Sequence, residues 1–322
     1  MLQRLRQPWP DQRAERMLGA LACAVLLTIV LMVVFVAQEA WPTFRHNGLS
    51  WLLPGGNVDE QIGKMVNGGH DYHLRAWPLI WGTVLTTGLA VAFGLVFAVF
   101  ASIFIVEFAP DRLRAIIVPV VRLLAAVPSV IFGLIGILVL VPFVGSHVVT
   151  AGQKKSVEFV VQLSGASLLV AVVILTVMIV PIMIAIIVDA LYAVPRGWKE
   201  GAVALGVNRW RAMWTVSVRA ARPAIIAAAV LATARALGEA IMLSMVSGSV
   251  GFAPNPFDGP LFLLEPLRPL ASTIVEDAES LQAPAVRSSI YAFALLLLFS
   301  SLFLSLAGFL AKQPMKKYGA RI

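Results

Sequence analysis

The sequence predicts an all-α, polytopic membrane protein with six transmembrane helices. Three observations carry that expectation. First, its 322 residues are 59% hydrophobic and only 13% charged, against roughly 45–50% and 25% in soluble domains. Second, six apolar stretches come close to or exceed the roughly 20 residues that cross a bilayer. Third, the cations are uneven. Of 25 Lys and Arg, 16 fall within residues 1–17, 107–115, 189–222 and 312–322. Apart from Arg122 and Arg235, the remaining seven lie on the opposite side. The positive-inside bias therefore places both termini and the 189–222 stretch in the cytoplasm. A net charge of +8 would point to nucleic acid in a soluble chain. Here basic cytoplasmic loops account for it, so the expected surroundings are a lipid bilayer and no nucleic acid is expected. The one cysteine, Cys23, lies in an apolar run and permits no internal disulfide.

The elements follow in order. Residues 1–76 are expected to form an N-terminal segment, a first transmembrane helix and an outer loop. The basic start resembles a signal peptide, but the apolar run 18–36 exceeds the signal core of about 7–15 residues, which favours an uncleaved span. Trp41, Trp51 and Trp77 flank the outer loop, as suits membrane interfaces, and a short surface helix is expected within 58–66. His70 and His73 lack the further ligands a metal site needs. Residues 77–311 are expected to be the core domain, with spans at 78–106, 116–144, 161–188, 223–246 and 287–311. The third contains Pro119, Pro128, Gly133 and Gly136. Proline interrupts the helical ladder and small residues allow close approach, so this span is read as broken and tightly packed. Residues 312–322 form a basic cytoplasmic tail.

Three ionisable residues fall inside the predicted spans: Arg122, Arg235 and Glu239. A charge at the bilayer centre costs about 2.5–3.5 kcal/mol on insertion scales. Arg235 and Glu239 are spaced to share a helix face and pair. An ion pair that only fixes helix register is one reading; a polar pathway is the other. Two cations against one anion favour an anion in transit, and guanidinium suits oxyanions because its planar fork bonds two oxygens. Ser244 follows as a further hydroxyl on that path. Arg122, near the start of its span, could instead snorkel to the surface.

No nucleotide-binding G-x-x-x-x-G-K-[ST] loop occurs, and no catalytic or metal site is expected. The chain is therefore read as no enzyme, with no cofactor of its own. Within 189–222, Glu200–Leu205 reads as a short helix, Gly206 as its turn, and residues from Asn208 as a second helix. Its apolar residues Ala202, Val203 and Leu205 argue against a merely solvated basic loop.

At this point a resemblance appears. EGAVALG from Glu200 to Gly206 resembles the EAA signature of permease subunits of bacterial ABC importers. With LLAAVPSVIFGLIG from Leu123, AARP from Ala220 and RALGEA from Arg235, it resembles the phosphate-specific importers, in the C-type subunit rather than the A-type. The similarity covers about residues 78–311. It implies the type I ABC importer permease fold in the bacterial cytoplasmic membrane. It also implies inward translocation of inorganic phosphate by alternating access. The implied partners are a second permease subunit (A-type, or a homologous copy), two ATPase subunits that bind ATP and Mg, and an extracytoplasmic phosphate-binding protein. Glu200, Gly201, Ala202, Gly206 and Arg209 are implied to couple to the ATPase. Gly201 stands where the signature has alanine, which weakens the helix slightly. Arg219 stands where proline is usual. Permeases for sulfate or molybdate, and an ion-coupled secondary transporter, are the alternatives; one intramembrane carboxylate is thin provision for the latter.

Overall fold

The structure, a computed structural model, describes residues 12–68, 72–156 and 162–312. The expected polar start before residue 12, His70 and the tail from 313 lie outside the described residues. The chain is helical, and six helical stretches are long and apolar enough to cross a membrane.

The first helix, α1 (Gln12–Asn47), runs further than the apolar stretch 18–36 because it continues through Pro42. The apolar part of α1 faces outward, with Leu21, Leu26 and Phe35 exposed. Its far end is held by polar contacts. Thr43 Oγ1 donates to Ser288 Oγ at 2.8 Å, and Ser288 Oγ accepts the Thr43 N–H at 3.0 Å. Arg287 pairs with Glu39 at 3.3 Å. Ser288 and Arg287 belong to the last helix, Pro284–Lys312. The outer segment carries α2 (Val58–Gly68), where a surface helix was expected. Trp51 stacks on Phe293 with ring centroids 5.9 Å apart. Val58, Ile62 and Met65 join the same buried cluster. The described residues of the 38–76 segment thus contribute to a second core.

The main core is built on α3 (Trp77–Ile103) and α8, with α4 (Asp111–Ala125), α5 (Ser129–Ile135), α6 (Val141–Phe143) and α7 (Ala151–Ser156) between them. Helix α8 (Leu168–Tyr192) is apolar on all sides, and 61% of its most apolar window is buried, against none of that of α1. A helix hydrophobic all round belongs inside a bundle. Along α3, the buried residues Gly82, Thr86, Ala90, Gly94, Ala98 and Ser102 recur every fourth position, which is one helix face. That stripe lets α3 lie close against α8: a Cβ on Gly94 would sit 3.0 Å from Met183 Cε. Without a hydrophobic drive between helices in lipid, such close backbone approach carries the packing.

Two expected spans are corrected. The third does not run 116–144. Helix α4 ends at Ala125 with no buried residue, and the apolar crossing is Ser129–Val148, from α5 through α6. Pro128 is the reason, since the residue before a proline is pushed away from helical geometry. The fifth does not run 223–246. It begins at Arg209 and passes through Pro223 in α11 (Val218–Leu237), after α9 (Arg196–Ala204) and α10 (Arg209–Ala212). It then breaks at 238–240, before a separate α12 (Ile241–Val246). The chain returns through α13 (Leu270–Glu276) to α14 (Pro284–Lys312). The tightly packed reading of Gly133 and Gly136 holds. A Cβ on Gly133 would meet Met242 Cα at 3.1 Å, and one on Gly136 would meet Val246 Cγ1 at 2.5 Å. These glycines seat α12 against α5.

Candidate functional site

Three places concentrate chemistry. The first is the hairpin between α8 and α11. Helix α9 closes in a turn made by Gly206 at φ +82°. The Gly206 N–H donates to Val203 O at 2.9 Å and the Val207 N–H to Ala202 O at 3.2 Å. This pair of bonds satisfies the last carbonyls of a helix when a glycine takes left-handed geometry. Asn208 then starts α10 by accepting the Arg211 N–H on Oδ1 at 2.7 Å, as an N-cap does. Glu200, Gly201 and Arg209 are exposed, and Ala202 is half-buried. Leu205 at the tip is 87% exposed, with Trp198 and Val203 also open. Glu200 and Arg209 face a groove of about 470 Å³ that Glu107, Lys199 and Val203 help line. The arrangement offers an apolar knuckle ringed by charge, which suits a protein partner better than water.

The second place is the break after α11. Arg235 lies on the last turn of that helix, and Glu239 in the connection to α12. They do meet, but loosely: Arg235 Nε is 3.9 Å from Glu239 Oε1. The Arg235 Nε is buried and has no hydrogen-bond partner. A buried donor left unmade costs about 1–3 kcal/mol, so this guanidinium is under-committed. Ser129, at the start of α5, lies against the Glu239 carboxylate. The end of α12 is tied to the start of α8, because Val246 O accepts the Ser167 N–H at 3.1 Å. Ser129 stands about 10 Å further from that rim than Gly136 does, at 1.5 Å per residue. The pair therefore lies away from that rim, at an interruption rather than on the middle of a continuous helix, with the Arg235 side chain 37% exposed and that of Glu239 11%.

The other expected path residues stand apart. Arg122 is not inside a span. It sits at the exposed end of α4 and pairs with Asp189 of α8 at 2.8 Å. Ser244 lies on α12, beyond the break, and its hydroxyl proton is committed to Ile241 O at 2.8 Å. A hydroxyl so engaged offers lone pairs, not a donor, to a passing anion.

The third place was not foreseen. Arg268, with a side chain only 8% exposed, meets Glu276 at 2.7 Å, Asp59 at 3.0 Å and Asp277 at 3.0 Å. Asp59 belongs to α2 and also accepts the Gly251 N–H at 2.7 Å. Glu276 accepts the Ser249 hydroxyl at 2.8 Å. Ser249 has φ +52°, an unusual conformation for a non-glycine residue. Burial pushes the Glu276 and Asp277 carboxyls above their usual range, against the pull of Arg268. Burial also works against the charge on Arg268, but Asp277, Glu276 and Asp59 together hold it above its ordinary value. Nothing in the sequence signals this hub: Arg268 and Asp59 are 209 positions apart, one in a stretch that reads only as polar and the other on the expected surface helix.

The comparisons with known proteins agree with this architecture. The chain is 32% identical over 251 residues to a probable ABC transporter permease protein, YqgH, of Bacillus subtilis, covering 77% of this chain and 75% of that protein. It is 32% identical to phosphate transport system permease protein PstC 1 of Mycobacterium bovis, over 83% of this chain and 82% of that one. It is 27% identical to the PstC protein of Haemophilus influenzae, over 84% and 83%. Among solved structures, the bacterial alginate ABC transporter in complex with its pentasaccharide-bound periplasmic protein contains a chain of the same fold. The TM-score is 0.60 at 13% identity, covering 96% of this chain and 98% of that one. Residues 94–313 match the family described as binding-protein-dependent transport system inner membrane component, and this multi-pass membrane chain belongs to that family of transport permeases.

Proposed function

We propose that this permease carries inorganic phosphate into the cell as one membrane subunit of an ATP-driven importer. The observation that carries the reading is Arg235: a part-exposed guanidinium at a break in a helix, with its buried Nε unpartnered and its carboxylate neighbour held off at 3.9 Å. A planar fork of this kind is a good match for a tetrahedral oxyanion, and Glu239 keeps the local field from holding that anion too tightly. Relatives named as phosphate permeases support the choice of anion.

The rest of the assembly follows from this reading. The chain carries no nucleotide loop, so ATP and Mg are held by two separate ATPase subunits. These dock on the hairpin formed by Glu200, Gly201, Ala202, Gly206 and Arg209. A second permease, of the A-type or a homologous copy, completes the pathway, and an extracytoplasmic phosphate-binding protein delivers the substrate. The cation bias sets both termini on the cytoplasmic side of a bacterial cytoplasmic membrane. The test is ATP hydrolysis by the assembly reconstituted in proteoliposomes, stimulated by binding protein loaded with phosphate, sulfate or molybdate. Stimulation by phosphate above the other two supports the reading. Equal or greater stimulation by sulfate or molybdate would reassign the anion.

A further inference from the structure

The hairpin is continuous with α8 through residues 193–195 and with α11 through the π-helical turn Met213–Ser217. It has no covalent connection to α3. Yet α3 is the helix laid along α8 by the small-residue stripe, so any rearrangement of the core has to involve it. Side chains bridge the gap at the end of α3. Its continuation Phe104–Phe108 is also π-helical. Phe108 faces Trp210 and Phe100 faces Trp214, with centroids 6.2 and 6.0 Å apart. Rings can slide over one another at little cost. The remaining bridge is directional: Lys199 Nζ of α9 lies 2.5 Å from Glu107 Oε1, and the two side chains are only 28% and 14% exposed.

The end of α3 that bears Glu107 is unusually well braced. Arg114 donates from Nε to Ile105 O at 2.9 Å, and from Nη2 to Val106 O at 3.0 Å and Ala109 O at 3.1 Å. These are carbonyls that a helix end leaves without partners. Glu107 is therefore mounted on a stiff terminus, while Lys199 is mounted on the element that a partner would displace. A shielded ion pair in low dielectric is far stronger than an exposed one, so it can bear load where ring contacts slip.

We propose that Lys199 and Glu107 form a strut that transmits displacement of the hairpin to the inner end of α3. The inference rests on the reading that an ATPase moves the hairpin. It adds that α3 is driven by this pair and does not merely follow α8 and α11. Both are positioning residues, since neither touches substrate nor nucleotide.

The experiment measures phosphate uptake and ATP hydrolysis together in the reconstituted assembly. Glu107→Gln and Lys199→Gln are expected to hydrolyse ATP but to move at least threefold less phosphate per ATP. The reversed pair, E107K with K199E, is expected to recover most of the lost ratio. A purely structural role would lower both rates alongside the yield of assembled complex and leave their ratio unchanged. That result, or a reversed pair no better than the single variants, overturns the strut. If Glu107→Gln does not assemble, the reversed pair decides alone: assembly with a restored ratio supports the proposal, and failure to assemble overturns it. A wild-type assembly with no phosphate-stimulated hydrolysis would overturn the transport reading itself, and the strut with it.

Discussion

Arg268 and Arg235 both have carboxylate neighbours, but the Arg268 side chain is 8% exposed and that of Arg235 37%. Arg268 is surrounded by opposite charge: three carboxylates reach it within 3.0 Å, although its Nε, like that of Arg235, makes no well-aligned hydrogen bond. Arg235 has one carboxylate at 3.9 Å and a buried nitrogen with no partner. A guanidinium ringed by three carboxylates repels a further anion. It ties α2, the 249–251 strap and α13 into one unit. An under-committed one retains donors for something that is not always there. The difference teaches that burial of a charge does not itself mark a transport site; the proposed role of Arg235 rests on its sparse carboxylate company at a helix break.

That contrast can be broken most directly at Arg268. Arg268→Gln leaves three carboxylates without their cation, and removing one partner of a buried pair costs about 3–5 kcal/mol. The expected result is a large fall in thermal stability and in the yield of folded protein. Near wild-type unfolding in detergent would show that the hub is not the fastener of that unit. Arg235→Gln should do the reverse. Phosphate uptake should fall by roughly tenfold or more, equivalent to about 1.4 kcal/mol in the barrier, while unfolding barely shifts. Undiminished uptake from a fully assembled complex would remove Arg235 from the path.

A smaller effect is expected at the end of α12 that lies away from the break. Gly136→Ala places a Cβ 2.5 Å from Val246, and overpacking of this kind costs about 1–3 kcal/mol. It should displace α12 and lower uptake with modest loss of stability. Full uptake would mean that α12 can shift freely against α5. The smallest effect is in pH. The Glu276 and Asp277 carboxyls titrate above their usual range in the folded protein because of burial. Native protein thus binds more protons than unfolded chain between the ordinary carboxylate values and the raised ones. In that window stability falls as pH rises. Unfolding temperature should therefore increase as pH falls from the raised values towards the ordinary carboxylate range, and Glu276→Gln should flatten that dependence. An equal slope in the variant would show that Glu276 does not contribute to it.

Much of the fold was legible locally. The six apolar crossings, the surface helix at 58–66 and the Gly206 turn with its Asn208 cap follow from hydropathy and turn chemistry. Such signals are contained within a few neighbouring residues. The span boundaries were less legible. Hydropathy continues smoothly across Ala126–Pro128 and across Gly238–Ala240, so the apolar pattern alone placed Arg122 within a crossing and Arg235 on an unbroken one. In the structure Arg122 sits on a half-exposed helix paired with Asp189, and Arg235 stands at a helix end. The four-residue stripe along α3 was present in the sequence as Gly82, Thr86, Ala90, Gly94, Ala98 and Ser102, but its partner α8 was not.

By itself, the sequence determined that this chain is a multi-pass membrane protein, which six stretches are apolar enough to cross, and where the helical hairpin with its Gly206 turn lies. Each of those depends on transfer energies and backbone preferences that are summed over short windows. Only the tertiary structure decided which charges meet. Lys199 finds Glu107 across 92 positions, and Arg268 collects acids from both ends of the chain. Coulomb energy depends on distance in space and on how much water is excluded, and neither quantity is written in the order of the residues.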